Sequence, residues 1–409
     1  MSLLLLNTCL FSLLLTGVVC QRRVTGRERV EVDKNYVVYI LGSPQNEPEV
    51  LAVGWLCGGA IIHPYFIITS SSCLTYKQKK WVIAGYNKYI GPENLHSDLC
   101  ARYSRKKIVY HCSHEKAVPS TGNISETKYI PLSKWRQIDI GLGKVAEPYN
   151  FRDKGYLVHC SYIPNAIKLS FRAEGYTKGV DALVYGWGSE RYYKPENYHI
   201  NNNSPYLMGV TTTIMDKNKC KKIYSASAPN EKIDQIVDKY TICGEGSGNV
   251  DIDGFYLGPT RRLNSDTSIE SENLYAYMPD QRLKNGTIKY HSISGGKVIH
   301  SARRNGPCQN DHGGPLVTWI GGQEYLVGVS SGFLVNENME CVGPFLYTSV
   351  ACASKLINCT LSQAPNARRY YGCEDNDEYR LHSEQITWDE LENIGKASTT
   401  PQDYWMYSD

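Results

Sequence analysis

Phenylalanine is scarce in this chain of 409 residues, which has seven against thirty-one tyrosines. That balance argues against a deep phenylalanine core. It suits half-buried strands on which a tyrosine ring packs while its hydroxyl stays wet. Charge imbalance is also lacking, because 44 Lys and Arg face 41 Asp and Glu for a net +3. So small an excess leaves no polyanion footprint, and no nucleic-acid partner is expected. The basic clusters Arg22-Arg23, Lys79-Lys80, Arg105-Lys-Lys107, Arg261-Arg262, Arg303-Arg304 and Arg368-Arg369 are scattered, and beyond the first they read as solvated surface. No Cys-x-x-Cys pair occurs, so no metal site or cofactor is expected. Past the first residues no apolar run is long enough to cross a bilayer, and no membrane insertion is expected.

What is present begins with Leu3 to Leu15, an uncharged apolar run followed by Thr16-Gly-Val-Val-Cys20 and then Gln-Arg-Arg. The run is too short to span a membrane, and small residues precede the expected cut. Residues 1–20 therefore read as a secretory signal peptide and the mature chain as extracellular. Residues 21–23 would form a short propeptide. Fourteen cysteines, two of them in the leader, leave twelve, an even number suited to disulfides in an oxidising compartment. The sequons at Asn123, Asn202, Asn285 and Asn358 are compatible with glycosylation, Asn358 least so because Cys359 follows it.

Tyr36-Val-Val-Tyr-Ile40 reads as a barrel strand, and the chain as all-β. Residues 245–304 are rich in Gly, Asn, Ser, Asp and Tyr without a sustained apolar period, and read as a long loop insertion. Within it, residues 286–300 can form a hairpin turning at Gly295-Gly296. Residues 362–409 form a C-terminal extension, polar and partly disordered by expectation. There Thr387-Trp-Asp-Glu390 reads as a capping box that opens a short helix ending near Gly395.

Gly306-Pro-Cys-Gln-Asn-Asp-His-Gly-Gly-Pro-Leu-Val317 resembles the Gly-Asp-Ser-Gly-Gly-Pro nucleophile loop of trypsin- and chymotrypsin-like serine proteases, with His312 in the serine's place. Cys57-Gly-Gly-Ala-Ile-Ile through Thr69-Ser-Ser-Ser-Cys73 is similar to the family's Cys-Gly-Gly-Ser-Leu-Ile…Thr-Ala-Ala-His-Cys segment and sets Ser72 at the base histidine. Gln137-Ile-Asp-Ile-Gly-Leu-Gly143 resembles Asp-Ile-Ala-Leu-Leu, so Asp139 matches the orienting aspartate. Tyr185-Gly-Trp-Gly188 resembles Ser-Gly-Trp-Gly, Pro344-Phe-Leu-Tyr-Thr348 resembles Pro-Gly-Val-Tyr-Thr, and Val24-Thr-Gly-Arg27 is similar to the mature N-terminus. The resemblance implies two six-stranded antiparallel β-barrels over residues 24–361, with a C-terminal helix, and no clip domain upstream. It suggests the disulfides Cys57–Cys73, Cys220–Cys243, Cys308–Cys341 and Cys160–Cys352, with Cys100–Cys112 and Cys359–Cys373 as additional local links. A family bridge is missing at both ends, where Ala182 and Thr318 stand.

Acyl transfer by this family uses a serine, an imidazole base, a carboxylate and backbone donors for the oxyanion. Here the resemblance leaves only Asp139 in place. Asn310 takes the oxyanion glycine's position, where a Cβ is expected to disturb the turn. Gly306, followed by Pro307, takes the pocket-floor aspartate's position, and Ser330-Ser331-Gly332 replaces the Ser-Trp-Gly substrate-binding segment. His312 is expected to swing into the vacated base site and bond Asp139, directly or through Ser72. Asp311 matches the aspartate that receives the new amine when cleavage after Arg23 frees Val24, an activation pairing the chain would retain.

These features imply a non-catalytic homologue that binds extracellular proteins (proteases, their substrates or inhibitors) as cofactor, decoy or regulator. The inactive protease-like proteins of invertebrate secretions are the relatives the resemblance suggests. Two alternatives stay open. One is an active endopeptidase with a rearranged site, for instance a swapped Ser72–His312 dyad or a base at His63. The other is a structural or storage secretion.

Overall fold

Runs of β-branched and aliphatic residues such as Val37-Val-Tyr-Ile-Leu-Gly42 are buried along their whole length, as strands packed on both faces must be. The structure, a computed structural model, describes residues 28–29, 34–42, 55–75, 79–91, 94–95, 97–114, 138–189, 203–227, 233–246, 248, 250, 274–277, 306–336, 338–364 and 381–388. The signal peptide, Arg23, Val24, Asn123, Asn202, Asn285, Cys373, the 286–300 hairpin, most of the 245–304 insertion and the end of the capping-box helix lie outside these residues.

In chain order the strands are β1 (Glu28–Arg29), β2 (Val37–Gly42), β3 (Trp55–His63), β4 (Phe66–Thr69), β5 (Lys80–Ile83), β6 (Lys106–His114), β7 (Gly141–Val145) and β8 (Lys168–Leu169). They continue with β9 (Asp181–Gly186), β10 (Met208–Ile214), β11 (Thr241–Glu245), β12 (Leu274–Tyr277), β13 (Pro315–Ile320), β14 (Gln323–Asn336), β15 (Cys341–Ser349) and β16 (Leu381–Gln385). The helices are α1 (Ser72–Thr75), α2 (Leu99–Ser104), α3 (Gly155–His159), α4 (Lys217–Ser227), α5 (Ile233–Tyr240) and α6 (Ser354–Leu361).

Two barrels follow from the pairing. One sheet runs β6-β5-β2-β3-β4-β7 and closes through β6 and β7 into a barrel of six antiparallel strands, with β5 covering only the start of β6 at Lys106–Lys107. The other runs β10-β11-β15-β14-β13-β9 and closes through β10 and β9. This is the two-barrel chymotrypsin fold that the motifs imply, with α6 as the C-terminal helix. Lys34 Nζ from the first barrel donates to Glu324 Oε1 at 2.7 Å, and Tyr36 Oη to Glu324 Oε2 at 2.9 Å, which clamps the β2 entry to the β13–β14 hairpin of the second.

Short strands decorate the barrels. β1 lies antiparallel on β10 and β8 lies parallel on β14. β12, from the insertion, pairs antiparallel with β14 from Leu274 opposite Asn336 to Tyr277 opposite Phe333. β16, from the tail, extends the first barrel on the edge of β6, with Leu381 opposite His114 and Gln385 opposite Tyr110. The chain then continues without helical structure through Trp388, whose Nε1 donates to Ile108 O at 2.9 Å and whose ring meets Trp81 edge-on at 4.9 Å. Residues 381–388 of the tail are thus a docked strand and anchor, a pairing that the sequence did not point to. The edge of β6 supplies the hydrogen bonds that decide its conformation.

Cys57–Cys73, Cys220–Cys243 and Cys308–Cys341 are bonded. The pairings Cys100–Cys112 and Cys160–Cys352 are corrected to Cys100–Cys160, with Cys112 and Cys352 left as thiols. Cys100 lies on α2, which packs against α3, and Cys160 caps the end of α3, so their Cα atoms stand 4.8 Å apart. Cys112 instead sits in the first barrel's core, and Cys352 donates to Ser349 O at 2.8 Å. Burial pushes both thiols up, Cys352 to about 12, which makes them poor nucleophiles. Cys359 is disulfide-bonded. Asn358 is half-buried on α6. At the site of the missing bridge, Thr318 Oγ1 donates to Asp181 O at 3.0 Å.

Candidate functional site

The site residues come from both barrels and meet between them. Ser70, Ser71 and Ser72 form the turn from β4 into α1, and Asp139 stands two residues before β7. From the second barrel, His312 lies in the turn that feeds β13, and Ser331 lies on β14. The His312 carbonyl accepts from Gly58 N at 2.8 Å, which fastens that turn to β3.

Asp139 is 3% exposed and is saturated with donors. Its Oδ1 accepts from Ser70 Oγ at 2.6 Å, Ser71 Oγ at 2.7 Å and Ser72 N at 3.3 Å. Its Oδ2 faces His312 Nε2 at 3.0 Å and accepts from Ser331 Oγ at 3.1 Å. A buried carboxylate needs such a shell to offset its lost hydration. His312, at 8% exposure, therefore contacts Asp139 directly. The hydroxyl bridging the two is that of Ser70, which lies 2.8 Å from His312 Nε2, rather than that of Ser72. Ser72 Oγ lies 2.5 Å from Ser70 Oγ.

The chemistry follows from which ring atom is used. One nitrogen, Nε2, faces both the carboxylate and the Ser70 hydroxyl. Opposite a carboxylate it must carry its proton, so it donates and cannot accept from a serine. A triad needs two nitrogens, one oriented by the carboxylate and the other free to take the hydroxyl proton. The Ser70 proton is directed to Asp139 Oδ1. His63 makes a different contact: its Nδ1 accepts from Tyr65 N at 3.2 Å, within the β3–β4 turn, and burial lowers its pKa.

The turn before His312 is closed by Asp311 N, which donates to Cys308 O at 3.0 Å. Asn310 adopts φ 71°, a left-handed conformation that asparagine tolerates better than most residues. Its Nδ2 donates to Asn203 Oδ1 at 2.9 Å. Asp311 is buried, accepting from Gly188 N at 2.8 Å and from Cys308 N at 2.9 Å. A side chain at Gly188 would collide with Gln309 O and the Asp311 carboxyl, so this close approach requires glycine. Val24 lies outside the described residues.

Sequence reasoning missed Phe345. Its ring is fully buried and fills the space over Gly306, where any Cβ would overlap it. Gly306, Pro307 and Gly332 are buried, and Ser330 is 2% exposed. The signal was legible: Phe345 stands where the strand motif has glycine. Ser70 and Ser71 were legible too, as hydroxyls in place of the motif's two alanines.

No family model matches the chain. A curated relative, CLIP domain-containing serine protease C9 of Anopheles gambiae, is 23% identical over 304 residues, 73% of this chain. The chain spans 58% of that relative's length. Among solved structures, the chain is similar to neuropsin, a serine protease expressed in the limbic system of mouse brain. The TM-score is 0.45 at 18% identity, covering 82% of this chain and 98% of that one. It is also similar to HBP, with TM-score 0.43 at 17% identity, covering 84% and 98%.

Proposed function

We propose that the chain is a secreted, non-catalytic homologue of the chymotrypsin-like serine proteases, in which Ser72 and His312 stand at the positions that match that family's base and nucleophile. It binds extracellular proteins as a cofactor, decoy or regulator of proteolysis. The observation that carries this reading is the His312 Nε2–Asp139 Oδ2 contact at 3.0 Å, which commits the imidazole to a structural bond. Removal of a nucleophile or base alone costs on the order of a millionfold in a comparable triad. Phe345 over Gly306 supports the same reading, since the filled space leaves no pocket there for a basic side chain. Four described disulfides and a ninth bonded cysteine, Cys359, suit an extracellular site of action.

Peptidase assays on protein cleaved after Arg23, against a library of peptide substrates, test the proposal. No turnover above buffer is expected. Turnover that His312→Ala abolishes would refute it.

A further inference from the structure

We infer that the disulfide-linked pair α2–α3 is a docking surface for an acidic segment of a partner protein that carries apolar anchors. Five large apolar side chains are exposed among the described residues, and four of them lie on this pair: Leu99 at 60%, Tyr103 at 40%, Leu157 at 61% and Val158 at 76%. Leu99 and Tyr103 are four residues apart and share one face of α2. Tyr103 packs edge-on against Tyr156 at 5.2 Å and lies 5.1 Å from His159, which joins that face to α3. Cys100–Cys160 locks the two elements together. An exposed patch on so fixed a frame binds with little ordering cost.

Charge selects the partner. Arg102, Arg152 and Lys154 are exposed around the patch. Among the described residues of the pair, two carboxylates stand beside these three cations, and both are hydrogen-bonded within the protein. Asp98 caps α2 by accepting from Ala101 N at 2.7 Å and also receives Tyr86 Oη. Asp153 accepts from Tyr103 Oη at 2.6 Å and from Gly155 N at 2.9 Å. Glu147 lies close enough to Lys106 to act on its charge. The outward face is therefore apolar with a cationic rim, complementary to Leu or Phe flanked by Asp or Glu. A net charge of only +3 favours such a short acidic segment over a long polyanion.

This inference rests on the reading of the chain as a protein-binding homologue, but binding is measured separately from peptidase activity, so either can fail alone. Fluorescence anisotropy with the full chain and a labelled peptide carrying Leu and Phe between Glu residues provides the test. Binding that weakens with salt is expected, and that weakens by about tenfold or more in Leu157→Ser/Val158→Ser and in Arg102→Glu/Lys154→Glu. All four side chains are exposed, and circular dichroism verifies that both variants fold. The proposal is overturned by absent binding, by equal binding to either variant, or by equal binding of a peptide with Lys in place of Glu. It is likewise overturned if a sulfated polysaccharide binds through these residues while the peptide does not.

Discussion

His312 places a single ring nitrogen against Asp139 and Ser70, and this detail separates a structural imidazole from a catalytic one. Its removal would leave Asp139 with its serine and amide donors but without its imidazole partner. Losing one donor to a buried charge costs about 1–3 kcal/mol, and breaking a buried pair outright about 3–5 kcal/mol. His312→Ala is expected to lower unfolding free energy by about 2 kcal/mol in urea titrations, with His312→Gln recovering part of the loss. A change near zero would contradict a structural role. The pairing was foreseeable because Ser72 vacates the space beside Asp139. The bridging role of Ser70 shows in the sequence only as a hydroxyl where the motif has alanine, and Asn310 takes φ 71°, which suits asparagine.

Elements that depend on a distant partner are the ones the sequence conceals. Leu381–Gln385 carries no clean alternation, yet it forms β16 because β6 offers an open edge and Trp388 anchors it at Ile108 and Trp81. β12 likewise takes its conformation from β14 rather than from its own pattern. The same holds for cysteines: the resemblance left Cys100 and Cys112 for a local link, whereas packing of α2 on α3 brings Cys100 to Cys160. Alkylation of unreduced, denatured protein followed by peptide mass mapping is expected to find a linked Cys100–Cys160 peptide and alkylated Cys112 and Cys352. A linked Cys100–Cys112 peptide would contradict the structure.

At the scale of the molecule, the barrels were legible because their landmarks recur in order from Cys57 to Thr348 and each falls on its strand or turn. What stabilises the whole also depends on pH. Burial lowers Lys80 from 10.5 to about 7, with the nearby Glu384 opposing the shift. Between pH 7 and 10.5 the unfolded chain holds the extra proton, so stability attributable to this group rises with pH across that window and is constant below it. Relative to Lys80→Met, the wild type is expected to gain up to about 1.4 kcal/mol per pH unit between pH 8 and 10 in urea titrations. Parallel curves would show that Lys80 keeps its charge in the fold. The central claim, that no serine in the cleft is an activated nucleophile, is tested most directly by intact-mass analysis after exposure of Arg23-cleaved protein to a fluorophosphonate serine reagent. The account predicts an unchanged mass under conditions that fully label an active trypsin-like enzyme. A stoichiometric adduct on Ser70 or Ser72 would contradict it.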